Sequence, residues 1–157
     1  MRRRMKYVLV FLQGLTVGVL IALPFASVRG QAKKPAPTKP VTSFNAVILT
    51  PLEGVDFDPF LDHLMLVVTR NWYLEIPESA MLGDKGKVIL RLQVQKDGRL
   101  LSHTPTVELS SGKKSLDKAA VDAVRSSAPF KHLPEAFPGP NIELRLTFLY
   151  NLPPGPA

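Results

Sequence analysis

Two segments of this chain, "KVILRLQVQ" at 87–95 and "NIELRLTFLYN" at 141–151, alternate apolar and polar residues with hardly a break. In the first, Val88, Leu90, Leu92 and Val94 fall on one side and Ile89, Arg91, Gln93 and Gln95 on the other. In the second, Ile142, Leu144, Leu146, Phe148 and Tyr150 oppose Glu143, Arg145, Thr147, Leu149 and Asn151. Successive side chains of an extended chain point to opposite faces, so this period of two predicts strands with one face buried and one in water.

The connections set the topology. "KDGR" at 96–99 is an Asp-Gly turn, and "LLSHTPTVEL" at 100–109 returns from it, which predicts a hairpin. Pro105 has no N–H to give to a ladder, so the return strand belongs at a sheet edge. Asp58 and Pro59 read as a helix N-cap and first turn, followed by Phe60, Leu61, Leu64, Met65, Val68 and Trp72 at helical spacing. A loop through Pro77, Gly83 and Gly86 leads to the first strand. A second helix precedes Pro129, with Ser115 as its N-cap, Asp117 in its first turn, a Lys118/Asp122 pair, and a stripe of Leu116, Ala119, Ala120, Ala123 and Val124 narrow enough for close approach to the sheet. One strand runs up, the next down, the helix crosses back, and the third strand runs down. The expected fold is therefore α+β: a small three-stranded antiparallel sheet, order 2-1-3, with two helices packed on one face. Strand three is then an uncapped edge, and an unpaired edge of that length calls for a partner.

The formal charge of +7 suggests a nucleic-acid binder until it is divided by position. Eight of the 20 Lys/Arg lie in residues 1–43, which hold no acid, leaving 12 basic against 13 acidic residues beyond. The excess sits around an apolar run rather than on the folded part, which speaks against nucleic acid. That run, Tyr7 to Val28 behind "MRRRMK", is long enough for a transmembrane helix and is equally built as a signal peptide with a small-residue site at Val28 and Gly30. Either way residues 1–30 direct the rest of the chain to export. "QAKKPAPTKPVTS" at 31–43 reads as an extended linker, and 31–57 as linker plus irregular lead-in to a domain at 58–151, with a Pro-rich tail at 152–157.

Chemical candidates are weak. Ser110 or Ser111 with His103 or His132 lacks the strained G-x-S-x-G elbow of a serine nucleophile. Gly112, Lys113 and Lys114 lack the spacing of a phosphate loop. His63, His103 and His132 show no metal-ligand spacing, cysteine is absent, and the Asp/Glu residues are scattered singly. Trp72 and Phe60 read as core. No catalytic, metal or cofactor site is expected.

"WYLEIPESAMLGDKGKVILRLQVQKDGRL", "SSGKKSLDKAAVDAVRSSAPFKHLP" and "IELRLTFLYN" together resemble the C-terminal domain of the TonB family, energy transducers of the Gram-negative envelope. The resemblance covers about residues 58–151. It implies a non-enzymatic protein anchored in the inner membrane through residues 7–28, coupled there to motor proteins, its domain in the periplasm. It also implies that an extended segment of an outer-membrane receptor or transporter adds to the edge of strand three, at Asn141, Glu143, Arg145, Thr147, Leu149 and Asn151. Two departures stand out: residues 7–28 hold no histidine for the family's Ser-x-x-x-His motor motif, and the linker is short. An exported periplasmic adaptor without motor coupling is the alternative.

Overall fold

A computed structural model describes residues 42–153. In chain order the elements are β1 (Thr42–Ile48), α1 (Asp58–Glu75), α2 (Glu78–Met81), β2 (Gly86–Gln95), β3 (Thr106–Leu109), α3 (Lys114–Ser127) and β4 (Asn141–Tyr150). They form an α+β fold with one four-stranded antiparallel sheet, order β1-β4-β2-β3. The candidate membrane segment lies outside the described residues, and among those no helix is long and apolar enough to cross a membrane.

The alternation sorts the sheet as its physics requires. Val88, Leu90, Leu92 and Val94 of β2 and Ile142, Leu144, Leu146, Phe148 and Tyr150 of β4 are buried, while their neighbours stay half-exposed or exposed. Phe60, Leu64, Val68 and Trp72 of α1 cover that face. The stripe Leu116, Ala119, Ala120, Ala123 and Val124 of α3 is buried too, and its broadest contact is with α1, less with β2. Small side chains there let two helices lie side by side on a narrow sheet. The Tyr150 hydroxyl ties the layers together: it accepts from Trp72 Nε1 at 2.6 Å and donates to the Leu116 carbonyl at 3.0 Å. Burial pushes this phenol well above its ordinary pKa, despite the Trp72 hydrogen bond.

The expected sheet is corrected in one decisive respect. The order 2-1-3 holds for the three strands it named, as β3-β2-β4, but a fourth strand, β1, lies against β4. It comes from the stretch assigned to linker and lead-in. Phe44, Ala46 and Ile48 do alternate with Ser43, Asn45 and Val47, but over seven residues beside a proline-rich run the signal is faint. The return strand is shorter than expected: after an isolated Val94–Leu100 bridge the chain bends through 101–104, and β3 spans four residues. It does lie at the edge, just after Pro105. A third, one-turn helix, α2, interrupts the expected loop.

Helix starts also differ. Asp58 is the first residue of α1, and Asp56 accepts its N–H at 2.8 Å. Ser115 lies inside α3 rather than capping it; its hydroxyl meets that of Ser79. Asp117 instead reaches back and accepts from the Ser111 N–H at 2.8 Å and from the hydroxyls of Ser110 and Ser111 at 2.5 and 2.7 Å.

Candidate partner-binding edge

An antiparallel strand offers its backbone groups alternately to either side. Leu49 N–H donates to the Glu143 carbonyl at 2.8 Å, and the register runs on from Ile48↔Leu144 to Thr42↔Tyr150. Glu143, Arg145, Thr147 and Leu149 therefore turn their backbone groups towards β1, and the even-numbered residues turn theirs to β2. Glu143 N–H closes the ladder by donating to Thr50 Oγ1 at 2.8 Å.

The strand expected to be an open edge is thus internal, and its outer side is taken by residues 42–50 of the same chain. The physical reason is visible in what β1 covers. Phe44 lies with its ring centroid 4.8 Å from that of Phe148 and 6.4 Å from that of Trp72. Without β1, the flank of the aromatic core and half of the β4 backbone groups would face water unpaired.

Five of the six residues singled out from the sequence lie in β4, and Asn151 follows it. Asn151 sits at φ 50° and donates from Nδ2 to the carbonyls of Ala80 and Asp84 at 2.7 and 2.8 Å. It anchors the end of β4 to the α2 turn. Asn141 pairs with Gln95 at the far end of the sheet, beyond the reach of β1. Arg145 reaches across β2 to Glu108 of β3, with two hydrogen bonds of 3.0 and 2.7 Å, while Arg91 lies 3.6 Å from Glu108 and 3.7 Å from Glu143. The result is a band of alternating charge on the helix-free face. Hydrogen bonds from Arg145 hold the Glu108 carboxyl below its ordinary pKa, and Glu108 in turn raises that of Arg145. These charges are committed to each other, so the outward side chains of β4 are less available for selecting a partner than their sequence pattern implied. The residues missed were Ser43, Asn45 and Val47, which form the outward face of the actual edge strand.

The serine-rich connector proves structural. Ser110 and Ser111 spend their hydroxyls on Asp117, and Lys113 Nζ donates to Asp84 Oδ1 at 2.6 Å, an ion pair that lowers the Asp84 pKa. Gly86 is required beneath it: a Cβ there would lie 2.7 Å from Leu116 Cδ1 and 2.8 Å from Ser111 Cβ. The Asp-Gly turn receives the exit of α3, with Phe130 N–H donating to the Gly98 carbonyl at 2.8 Å and Leu133 N–H to the Lys96 carbonyl at 3.0 Å. At φ 82°, and with a Cβ position 2.1 Å from the Phe130 carbonyl oxygen, position 98 admits only glycine without a shift. Among the described residues no group of acids and histidines is arranged to hold a metal.

Comparison with known proteins bears on this arrangement. The family described as Gram-negative bacterial TonB protein C-terminal matches residues 77–152. The solution NMR structure of the TonB C-terminal domain of Helicobacter pylori is similar at 25% sequence identity and a TM-score of 0.48, covering 65% of this chain and 88% of that one. No curated protein matches.

Proposed function

Since residues 77–152 form a TonB-family C-terminal domain, we propose that this domain is the partner-gripping part of a TonB-like protein of the Gram-negative envelope. The family is one of protein interaction rather than catalysis. In this reading the sheet takes up an extended segment of an outer-membrane receptor or transporter as an added strand, for energy transduction or transport. Residues 7–28 hold the chain at the inner membrane and the domain works in the periplasm. The observation that carries the reading is the flank of β4, a ten-residue strand whose outer side holds only one short strand, β1, with no fully buried side chain.

Main-chain hydrogen bonds supply affinity in such an interface, and alternate side chains supply choice. The test is site-specific photo-crosslinking in intact envelopes, with the crosslinker at Val47, which a strand added outside β1 would meet, at Thr147 of β4, which a strand taking the place of β1 would meet, and, as a control, at Lys131 on the exposed loop after α3. Adducts with a β-barrel receptor from position 47 or 147 and none from 131 support the reading; equal labelling from all three positions, or none, defeats it.

The exported adaptor without motor coupling is kept as a second reading on a specific observation. Residues 7–28 hold no histidine, and β1 begins at Thr42, so at most 11 residues, 31–41, separate an exported N-terminus from the sheet. At about 3.1 Å per residue that tether spans on the order of 35 Å. A mature N-terminus near Gln31, read by mass spectrometry of the protein from cells, selects the adaptor; an intact Met1 or Arg2 selects the anchored form.

A further inference from the structure

If binding proceeds by strand addition, the reading on which this inference rests, the geometry points to β1 as a resident stand-in for the partner. We infer that residues 42–50 occupy the acceptor edge of β4 and exchange with an extended partner segment that has the same alternating pattern and runs antiparallel to β4.

Three observations converge. First, β1 satisfies the β4 edge from Glu143 to Tyr150, in unbroken register from Thr42↔Tyr150 to Ile48↔Leu144 and on through Leu49 and Thr50. Any other strand on that edge must replace it. Second, β1 is separable. None of its side chains is buried, and the buried core assembled from α1, β2, α3 and β4 contains no β1 residue. Its connection to α1 turns at Glu53 and Gly54, with φ 50° and 74°, before the chain is pinned by buried Phe57. The domain therefore keeps its core when β1 leaves. Third, β1 displays the chemistry the site accepts. Phe44 fills the place beside Phe148 and Trp72, and Ala46 and Ile48 pack partly buried against the core below it. Thr42 Oγ1 donates to the Tyr73 hydroxyl at 3.1 Å at one end, and Thr50 Oγ1 accepts from Glu143 at the other.

The partner segment is accordingly an aromatic, a small and a branched apolar residue at alternate positions, with a hydroxyl residue two places on. Charge is not demanded of it. Ser43, Asn45 and Val47 carry none, and the nearby Arg145 is already held by Glu108. Selection then lies with the positions facing the core rather than with the outward ones.

The chain has no cysteine, so a disulfide can be placed without competition. Asn45 and Thr147 are direct partners in the register, and directly opposed antiparallel residues fall within disulfide reach. The experiment uses the full chain in detergent micelles carrying Asn45→Cys and Thr147→Cys, with fluorescence anisotropy of a labelled peptide of residues 42–50, TSFNAVILT. The reduced protein is expected to bind the peptide and the oxidised protein to lose at least tenfold in affinity. A peptide with alanine in place of its phenylalanine should bind more weakly. Phe44→Ala in the protein should instead tighten binding of the intact peptide about fivefold, because the competing strand is loosened. Ser43→Cys with Leu149→Cys serves if the first pair disturbs folding. Equal binding to oxidised and reduced protein overturns exchange and leaves strand addition at another edge standing. No binding to the reduced protein overturns exchange as well, and the envelope crosslinking judges strand addition independently of either result.

Discussion

β4 is flanked on its two sides by strands that pair with it in the same antiparallel geometry and differ in almost everything else. On one side β2 matches it over ten residue pairs, and every second side chain of both strands is buried under α1 and α3. On the other side β1 matches it over seven pairs with no side chain fully buried. Net hydrogen-bond contributions are similar per bond, about 1 kcal/mol, because water competes for the same groups. Burial makes the difference, since fully covering a large apolar side chain contributes about 1.5–3 kcal/mol. The β2 flank is therefore structural, and the β1 flank is the weaker one, which the proposed partner would contest.

The comparison can be broken from either side. Leu146→Ala, on the β2 flank, should have the largest effect, a loss of about 3 kcal/mol in urea unfolding, because the site is closed on all sides. A loss under 1 kcal/mol would mean that this flank is not the rigid one. Tyr150→Phe keeps the packing but strands Trp72 Nε1 and removes the extra donor at the Leu116 carbonyl. It should cost about 2 kcal/mol, and no change in thermal midpoint would remove the hydroxyl from the account. Phe44→Ala should cost less, about 1 kcal/mol, since its ring is only half-buried. Its signature is local: hydrogen exchange should quicken at the Arg145, Thr147 and Leu149 amides and stay unchanged at Leu90 and Leu92. Uniform acceleration would show that β1 is part of the cooperative core.

The smallest effect concerns Asp117, which organises the connector rather than either flank. Partial desolvation works against its charge, yet hydrogen bonds from Ser110 and Ser111 hold its folded pKa below the ordinary value. A depressed carboxylate pKa contributes stability above the unfolded pKa and loses it as pH falls through the folded one. Asp117→Asn should flatten the acid limb of the stability profile below about pH 4. An unchanged profile would assign that limb to other acids.

How far the sequence could be read depends on the strength of its periodicity. The two strongly alternating strands, the apolar stripe of α1 and the small-residue stripe of α3 were legible because burial on one face imposes a repeat that local chemistry cannot hide. Pro105 marked an edge because it has no N–H. The motifs behind the family resemblance also found their use: the Asp-Gly turn receives Phe130 and Leu133, and Asp117 binds the two serines ahead of α3. Asn141, Glu143, Arg145, Thr147 and Leu149 were placed correctly on β4, but whether that strand was an edge was not written in them. The answer lay about a hundred residues earlier, in a segment whose half-buried alternation differs little from that of a linker.

By itself the sequence determined the sheet's two faces, the helices that cover one of them and the order of three strands, because side-chain periodicity and short connections are local properties. Only the tertiary structure decided that β4 is occupied and that its charged side chains are spent on Glu108 of β3 and Arg91 of β2. Pairing between segments a hundred residues apart depends on backbone groups that every residue carries alike, so no residue type announces it.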